Sequence, residues 1–377
     1  MTMTLTDQVA RLARLHDAAG PVVSVYLNTA WTDERQRERT RLFLKGELRR
    51  IRAEGPADGV AAALDWVEAE AEAIIGRTSH AGAHGVAIFA GPTASLREVI
   101  SVRAPLENAL VVADRPLLRP LAAALGEAPP TLVVFIDTEA ARLVPILDSG
   151  PGEEVRLDSA VLGHHRRGGW AQLAESHYRR HIEEQRERHL EAVSKALSRL
   201  VQHYGLERIV IAGTADSARA FQRVLPSAVA ARVAGIVSGS RHEPASVLAA
   251  RASSLTGRVT GLETEAAVHA VLAEAVKGGH AAASLEGVLE ALQRGAVARL
   301  YLLREARWQG QACTGCAALQ PGAAPTCRLC RQATTAAELG DAMVARTIAA
   351  GGTVTVVEAH GALGAVGGVA ARLRFVP

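Results

Sequence analysis

Four cysteines stand in one short segment, as Cys313-Thr-Gly-Cys316 and, ten residues further on, Cys327-Arg-Leu-Cys330. A Cys-x-x-Cys turn brings two thiolates to one ion, and two such turns supply the four sulfurs of a tetrahedral zinc site. No cysteine falls outside the pattern. Disulfides would need an oxidising compartment that nothing else in the chain suggests. The spacing therefore predicts a structural zinc held by Cys313, Cys316, Cys327 and Cys330. Four thiolates close the coordination sphere, so such a site stabilises a ribbon over residues 311–332 and catalyses nothing.

A second constellation is the run His164-His165-Arg166-Arg167-Gly168-Gly169-Trp170-Ala171-Gln172. Adjacent glycines open backbone angles closed to other residues and permit close approach to another backbone. Four basic or titratable side chains precede them, and the following segment adds Arg179, Arg180, His181, Arg186, Arg188 and His189. A Gly-Gly tip on a basic stem suits entry into an RNA-lined cavity, where attraction to phosphate dominates affinity. Composition alone also allows a surface loop leading into a solvated helix, because Glu175, Glu183, Glu184 and Glu187 offset much of the charge.

The whole-chain balance is uninformative: the formal net charge is +3 over 377 residues. All but three of the basic side chains, Lys45, Lys195 and Lys277, are arginine, which reads as codon bias before it reads as phosphate binding. Aromatics make up 3% of the chain, too few for a reader of single-stranded nucleic acid by base stacking. The N-terminal run lacks the apolar core of a signal peptide, and no stretch has the uninterrupted apolar length of a membrane span. A cytoplasmic protein without a membrane partner is expected.

Three regions must position these residues. Residues 1–130 open with a helical pattern and then VVSVYLNT, a strand. A charged helix over about residues 33–53 follows, rich in arginine but interleaved with Asp33, Glu34, Glu38 and Glu47. Those mixed signs read as a solvated face. A helix over 60–75 and two strands, GVAIFAG and REVISV, complete this α+β region. A break at Glu127-Ala-Pro-Pro130 begins residues 131–262, with a hairpin (TLVVFID, ARLVPI), the Gly-Gly loop and a long helix over 173–203. Two strand–helix units, from RIVIAG and RVAGIVSG, imply some parallel pairing. Residues 263–377 hold two helices, AVARLYLL, the cysteine insertion, a helix, TVTVVE, a Gly-rich turn at Gly361–Gly367 and VAARLRFV, which predicts an α/β/α sandwich.

The order hairpin, basic Gly-Gly loop, long basic helix, IVIAG resembles the middle domain of the archaeo-eukaryotic class-one peptide-chain release factors. Their Gly-Gly-Gln loop enters the peptidyl transferase centre. GAVARLYLL, the paired cysteines and the closing TVTVVEAHGALGAVGGVAARLRF resemble that family's C-terminal domain. VVSVYLNT is similar to its opening strand, so the resemblance covers nearly the whole chain. It implies an RNase H-like middle domain and a kink-turn-binding ribosomal-protein-like C-terminal domain with a zinc ribbon. The implied activity is peptidyl-tRNA hydrolysis, with the large ribosomal subunit, rRNA and tRNA as partners and room for a translational GTPase. Gln172, Gly168 and Gly169 take the catalytic positions, and His164, His165, Arg166, Arg167, Trp170, Arg179 and Arg180 the RNA contacts. Two residues separate Gly169 from Gln172, which resembles the bacterial branch that acts in ribosome quality control. The first region lacks an Asn-Ile-Lys-Ser-like tetrapeptide, so rescue of stalled ribosomes or large subunits is expected in place of stop-codon reading.

Two other readings compete. A ribosome-binding rescue or recycling factor without hydrolysis would share the domains but not need the loop. A metal-dependent nuclease would need several converging carboxylates, and only Asp137, Glu139 and Asp216 are candidates. Asp137 reads more simply as the start of an Asp-Thr-Glu-Ala turn.

Overall fold

The computed structural model describes residues 4–15, 20–55, 59–77, 82–127, 129–148, 150–158 and 173–376, without the side chains of 173–179, 181 and 182. Residues 1–127 and 260–377 form one compact unit and residues 128–259 another.

The first unit opens with α1 (Leu5–Ala13), β1 (Val22–Asn28), α2 (Glu34–Ala53), α3 (Val60–Ile75), β2 (Gly85–Ala90), β3 (Arg97–Val102), β4 (Ala109–Ala113) and α4 (Arg119–Glu127). Its strands make an antiparallel sheet in the order β3-β2-β1-β4. β1 is central and covered on both sides, hence its nearly unbroken apolar run. On one face Val23, Val25 and Leu27 meet Leu44, Leu48, Leu64 and Val67 of α2 and α3. On the other, Val22, Tyr26 and Phe89 share a core with Val9 and Leu12 of α1 and with residues of the C-terminal region. Asp33 starts α2 by accepting a hydrogen bond from the N–H of Gln36.

The second unit contains β5 (Thr131–Ile136), β6 (Ala140–Leu147), β7 (Gly150–Pro151), β8 (Val155–Asp158), α5 (Leu173–Tyr204), β9 (Arg208–Ala212), α6 (Ala215–Arg223), α7 (Ser227–Ala230), β10 (Val233–Val237) and the first half of α8 (Ala245–Val276). Its sheet runs β10-β9-β5-β6-β7, with β8 also on β6. β5, β9 and β10 are parallel and β6 is antiparallel. Leu190, Val193 and Leu197 of α5 and Phe221 of α6 cover one face. Leu248 and Ala252 of α8 cover the other. Gly213 turns β9 into α6 at φ +147°, and a Cβ there would lie 2.5 Å from the carbonyl oxygen of Ile136. Only glycine allows that approach.

The first unit resumes with β11 (Ala281–Ala282), α9 (Leu285–Gln293), β12 (Val297–Leu303), β13 (Gln309–Cys313), β14 (Leu319–Pro321), β15 (Thr334–Glu338), α10 (Leu339–Ala349), β16 (Thr353–Val357), α11 (Gly361–Ala365) and β17 (Val369–Leu373). The sheet β11-β17-β12-β16 carries α9 and α10 on one face, through Val288, Leu292 and Met343. Val268 and Val271 of α8 and Leu363 of α11 lie on its other face. This is the α/β/α arrangement, and the fold as a whole is mixed α/β. A separate three-stranded sheet, β14-β13-β15, is inserted between β12 and α10. The buried guanidinium of Arg119 on α4 donates through Nη2 to the carbonyls of Leu303, Arg304 and Ala306 at 2.7, 2.8 and 2.9 Å. That fan of bonds fixes the N-terminal helix α4 to the end of β12.

Two local expectations differ from the structure. The region boundary expected at 262/263 lies within one continuous helix, α8. The turn expected at Gly361–Gly367 is a short helix capped by His360, and the turn itself falls at Gly367 and Gly368, with φ of +89° and +81°.

Candidate functional site

The two Cys-x-x-Cys segments fold as two copies of one turn. The N–H of Ala317 donates to the carbonyl of Cys313 at 3.1 Å, and that of Arg331 to the carbonyl of Cys327 at 3.1 Å. Each turn then closes identically, Cys313 N–H to the Ala318 carbonyl and Cys327 N–H to the Gln332 carbonyl, both at 2.8 Å. Ala317 and Arg331 sit at φ +56° and +64°, the only non-glycine residues with positive φ among the described residues. Left-handed backbone at two side-chain-bearing positions costs free energy, and here it folds each segment back so that both sulfurs face inward.

All four Sγ atoms lie within 4.8 Å of one another. Cys313 and Cys330 are 3.3 Å apart and Cys316 and Cys327 3.7 Å. Tetrahedral zinc with sulfur at about 2.3 Å would place them about 3.8 Å apart, so the cluster fits such an ion with small adjustment. The N–H groups of Gly315 and Cys316 point at Cys313 Sγ, at 3.3 and 3.4 Å. The Cys316 N–H leads in holding the Cys313 thiol down to about 6. Cys316 is pulled down by the N–H of Ala318, but Cys330, burial and the other thiols outweigh this and push it up to about 12. Four thiols this close cannot all ionise without a cation to share.

Gly168, Gly169, Gln172, His164, His165, Arg166, Arg167 and Trp170 lie outside the described residues, as does the side chain of Arg179. What the structure describes is the chain on either side of them. β8 delivers the chain to Asp158, which pairs with Ala140 of β6, and α5 takes it up again at Leu173. Arg241, just before α8, reaches Asp158 at 3.0 Å and Glu139 at 3.4 Å. Beneath it the buried Arg142 bonds Glu154 at 2.6 Å and donates to the Arg241 carbonyl at 3.0 Å. Arg142 also leads in holding the Glu154 carboxyl below its usual range. Two arginines therefore anchor the strand that leads into the loop.

Arg180 is exposed, and so is Arg188, whose Nη2 lies 3.9 Å from Glu184. His189, grouped with the basic face of α5 in the sequence, is instead buried at 6% exposure. Its ring hydrogen-bonds the backbone of Ala140, and burial holds it below the usual imidazole range. It is a neutral core residue under the β5–β6 turn. Two of the three carboxylates considered for a nuclease are engaged elsewhere. Asp137 accepts from the N–H groups of Glu139 and Ala140 at 2.8 and 2.7 Å, and Glu139 faces Arg241. Among the described residues only the four cysteines form a group able to hold a metal.

A cleft of about 580 Å³ in the first unit escaped sequence reasoning. Arg119, Arg304, Arg307, Glu127, Asp341 and Glu358 line it. Burial, then the neighbouring Glu338, pushes the Asp341 carboxyl up to about 6 against the pull of Arg119 and Arg307. These residues are far apart in sequence and no motif links them.

Residues 116–279 match the family model described as bacterial archaeo-eukaryotic release factor family 10. Solved structures similar to this chain include an archaeal translation termination factor, aRF1, at 16% identity over 99% of both chains with a TM-score of 0.28. Another is Archaeoglobus fulgidus Pelota, at 14% identity over 100% of this chain and 93% of that one, with a TM-score of 0.34. Dom34 of S. cerevisiae, described as a translation termination-like factor, matches at 12% identity over 75% of this chain and 74% of its own, with a TM-score of 0.43. No curated protein matches. Through residues 116–279 the chain is similar to the bacterial archaeo-eukaryotic release factor family.

Proposed function

We propose that the protein is a ribosome-dependent peptidyl-tRNA hydrolase that releases nascent peptide from stalled ribosomes or large subunits without reading a stop codon. The observation that carries this reading is the family match over residues 116–279, which spans His164 to Gln172. Release requires water to attack an ester carbonyl. rRNA and the tRNA supply much of the surroundings, so the protein need only place a water and a few donors. Gln172 cannot serve as a base near neutral pH, but its amide orients water. The N–H groups of Gly168 and Gly169 stabilise developing negative charge. Arg166 and Arg167 neutralise nearby phosphate, with His164, His165, Trp170, Arg179 and Arg180 as further RNA contacts.

In this reading the chain has three functional regions, 1–130, 131–262 and 263–377, and works in the cytoplasm on the large subunit. A structural zinc on Cys313, Cys316, Cys327 and Cys330 holds the ribbon and takes no part in hydrolysis. The second reading, a ribosome-binding rescue or recycling factor without hydrolysis, is favoured by one observation: two residues separate Gly169 from Gln172. Large subunits loaded with labelled peptidyl-tRNA distinguish the two. Hydrolysis liberates labelled peptide in proportion to added protein. Binding without liberation supports the second reading and removes the first.

A further inference from the structure

The charged helix α2 contains seven arginines and one lysine against three glutamates. Interleaved charge suggested a solvated face, and for most of these side chains the structure agrees. Arg37 pairs with Glu34, Arg41 with Glu38 and Glu72, Arg50 with Glu47 and Glu54, and Arg52 with Asp65 and Glu68. Lys45 lies 3.7 Å from Glu72. Three arginines remain, Arg35, Arg39 and Arg49, all exposed and none with an acidic partner among the described residues.

Those three are not scattered. At 3.6 residues per turn, positions 35, 39, 42, 46 and 49 fall on one narrow stripe, opposite the core positions Thr40, Leu44, Leu48 and Ile51. The stripe reads Arg35, Arg39, Leu42, Gly46, Arg49. Leu42 is 61% exposed. Gly46 stands in the interior of the helix, and a Cβ built on it meets nothing within 4 Å. A glycine in an exposed helix interior weakens the helix relative to alanine. Among the described residues nothing requires it, since no neighbour would clash with a side chain there. Its physical use is to let a second backbone come close to the helix, and it does so between Arg39 and Arg49.

We propose that this stripe binds the sugar–phosphate backbone of a double-helical RNA, with the strand passing over Gly46. Arg35, Arg39 and Arg49 extend over about 21 Å of helix, and each guanidinium can grip two phosphate oxygens. Leu42 offers an apolar contact to a ribose edge. A protein partner would need an apolar, usually aromatic, centre that this stripe lacks. A polar, positively charged surface is what an RNA interface requires. Scarcity of aromatic residues likewise argues for backbone contact over base stacking.

The inference goes beyond peptide release and is measured without it, so either can fail alone. The test titrates the full chain with a labelled duplex RNA oligonucleotide at several salt concentrations. The triple variant Arg35→Gln, Arg39→Gln, Arg49→Gln keeps its melting temperature, since among the described residues none of the three side chains forms an ion pair. It binds the duplex roughly tenfold or more weakly at low salt, and its log K against log salt slope is shallower by about 2 to 3. Gly46→Ala raises the melting temperature by a few degrees and yet weakens duplex binding. Unchanged affinity and slope in the triple variant overturn the proposal. So does loss of binding to polyglutamate, with duplex binding retained, which would make the partner an acidic protein. A more stable Gly46→Ala that binds RNA as well as wild type overturns the close approach at Gly46.

Discussion

The guanidinium of Arg241 lies 3.0 Å from the carboxylate of Asp158, the last described residue before the glycine loop. The same guanidinium reaches Glu139 in the β5–β6 turn at 3.4 Å. One side chain thus joins the strand that ends at Asp158, the neighbouring turn and the approach to α8.

Because this pair is exposed, it contributes little to stability, about 0–1 kcal/mol. Its effect should fall on loop placement. Arg241→Ala is expected to slow peptide release by about tenfold, as a misplaced reactive group does, with the melting temperature almost unchanged. Release assays beside thermal denaturation check this. A matched fall in both would assign Arg241 to folding alone.

The thiol cluster makes a prediction confined to the ribbon. The purified protein should contain one zinc per chain, by elemental analysis. Cys327→Ser should lose it and expose the amides of β13, β14 and β15 to hydrogen exchange, while β5 and β9 in the other unit stay protected. Cys327 is the most buried of the four, at 1% exposure, so its loss should be felt more than that of the exposed Cys330.

Asp341 sets a pH dependence. Its folded-state value of about 6 lies above the ordinary 3.8, so the fold favours the protonated acid. The stability this gives is complete below about pH 4 and is lost as pH rises through 6. Asp341→Asn should therefore melt with wild type in acid and be more stable by about 3 kcal/mol above neutrality. Melting curves at three pH values suffice. A variant less stable than wild type at high pH would mean that Arg119 and Arg307 hold the charged form.

His189 runs the other way. Burial lowers it below 6.5, so stability is present above that pH and falls as pH drops below it, because the unfolded chain then takes up the proton more readily. His189→Gln should flatten that acid-side loss in a titration of melting temperature.

Much of this architecture was legible because strands and helices here bury regular apolar patterns. VVSVYLNT, TLVVFID and TVTVVE became β1, β5 and β16, and the helix expected over 60–75 is α3 with those bounds. The cysteine spacing is local, so it could be read as a cluster. Features set by tertiary contact were not legible. β8 is only Val-Arg-Leu-Asp, too short and too polar to stand out, and becomes a strand by pairing with β6. His189 looked like part of a basic face because its burial depends on the β5–β6 turn above it. Arg119 meets carbonyls 184 to 187 residues away, a relation without any sequence signature. The arginines of α2 looked uniformly solvated until pairing separated three from the rest.

Comparing wild type with Gln172→Ala on large subunits carrying labelled peptidyl-tRNA tests the central claim most directly. The account predicts that the variant binds the subunits as wild type does and liberates peptide at least about a hundredfold more slowly, as losing a water-positioning group at a reacting carbonyl should. Equal liberation by both proteins would contradict it and place the chemistry outside the glycine loop.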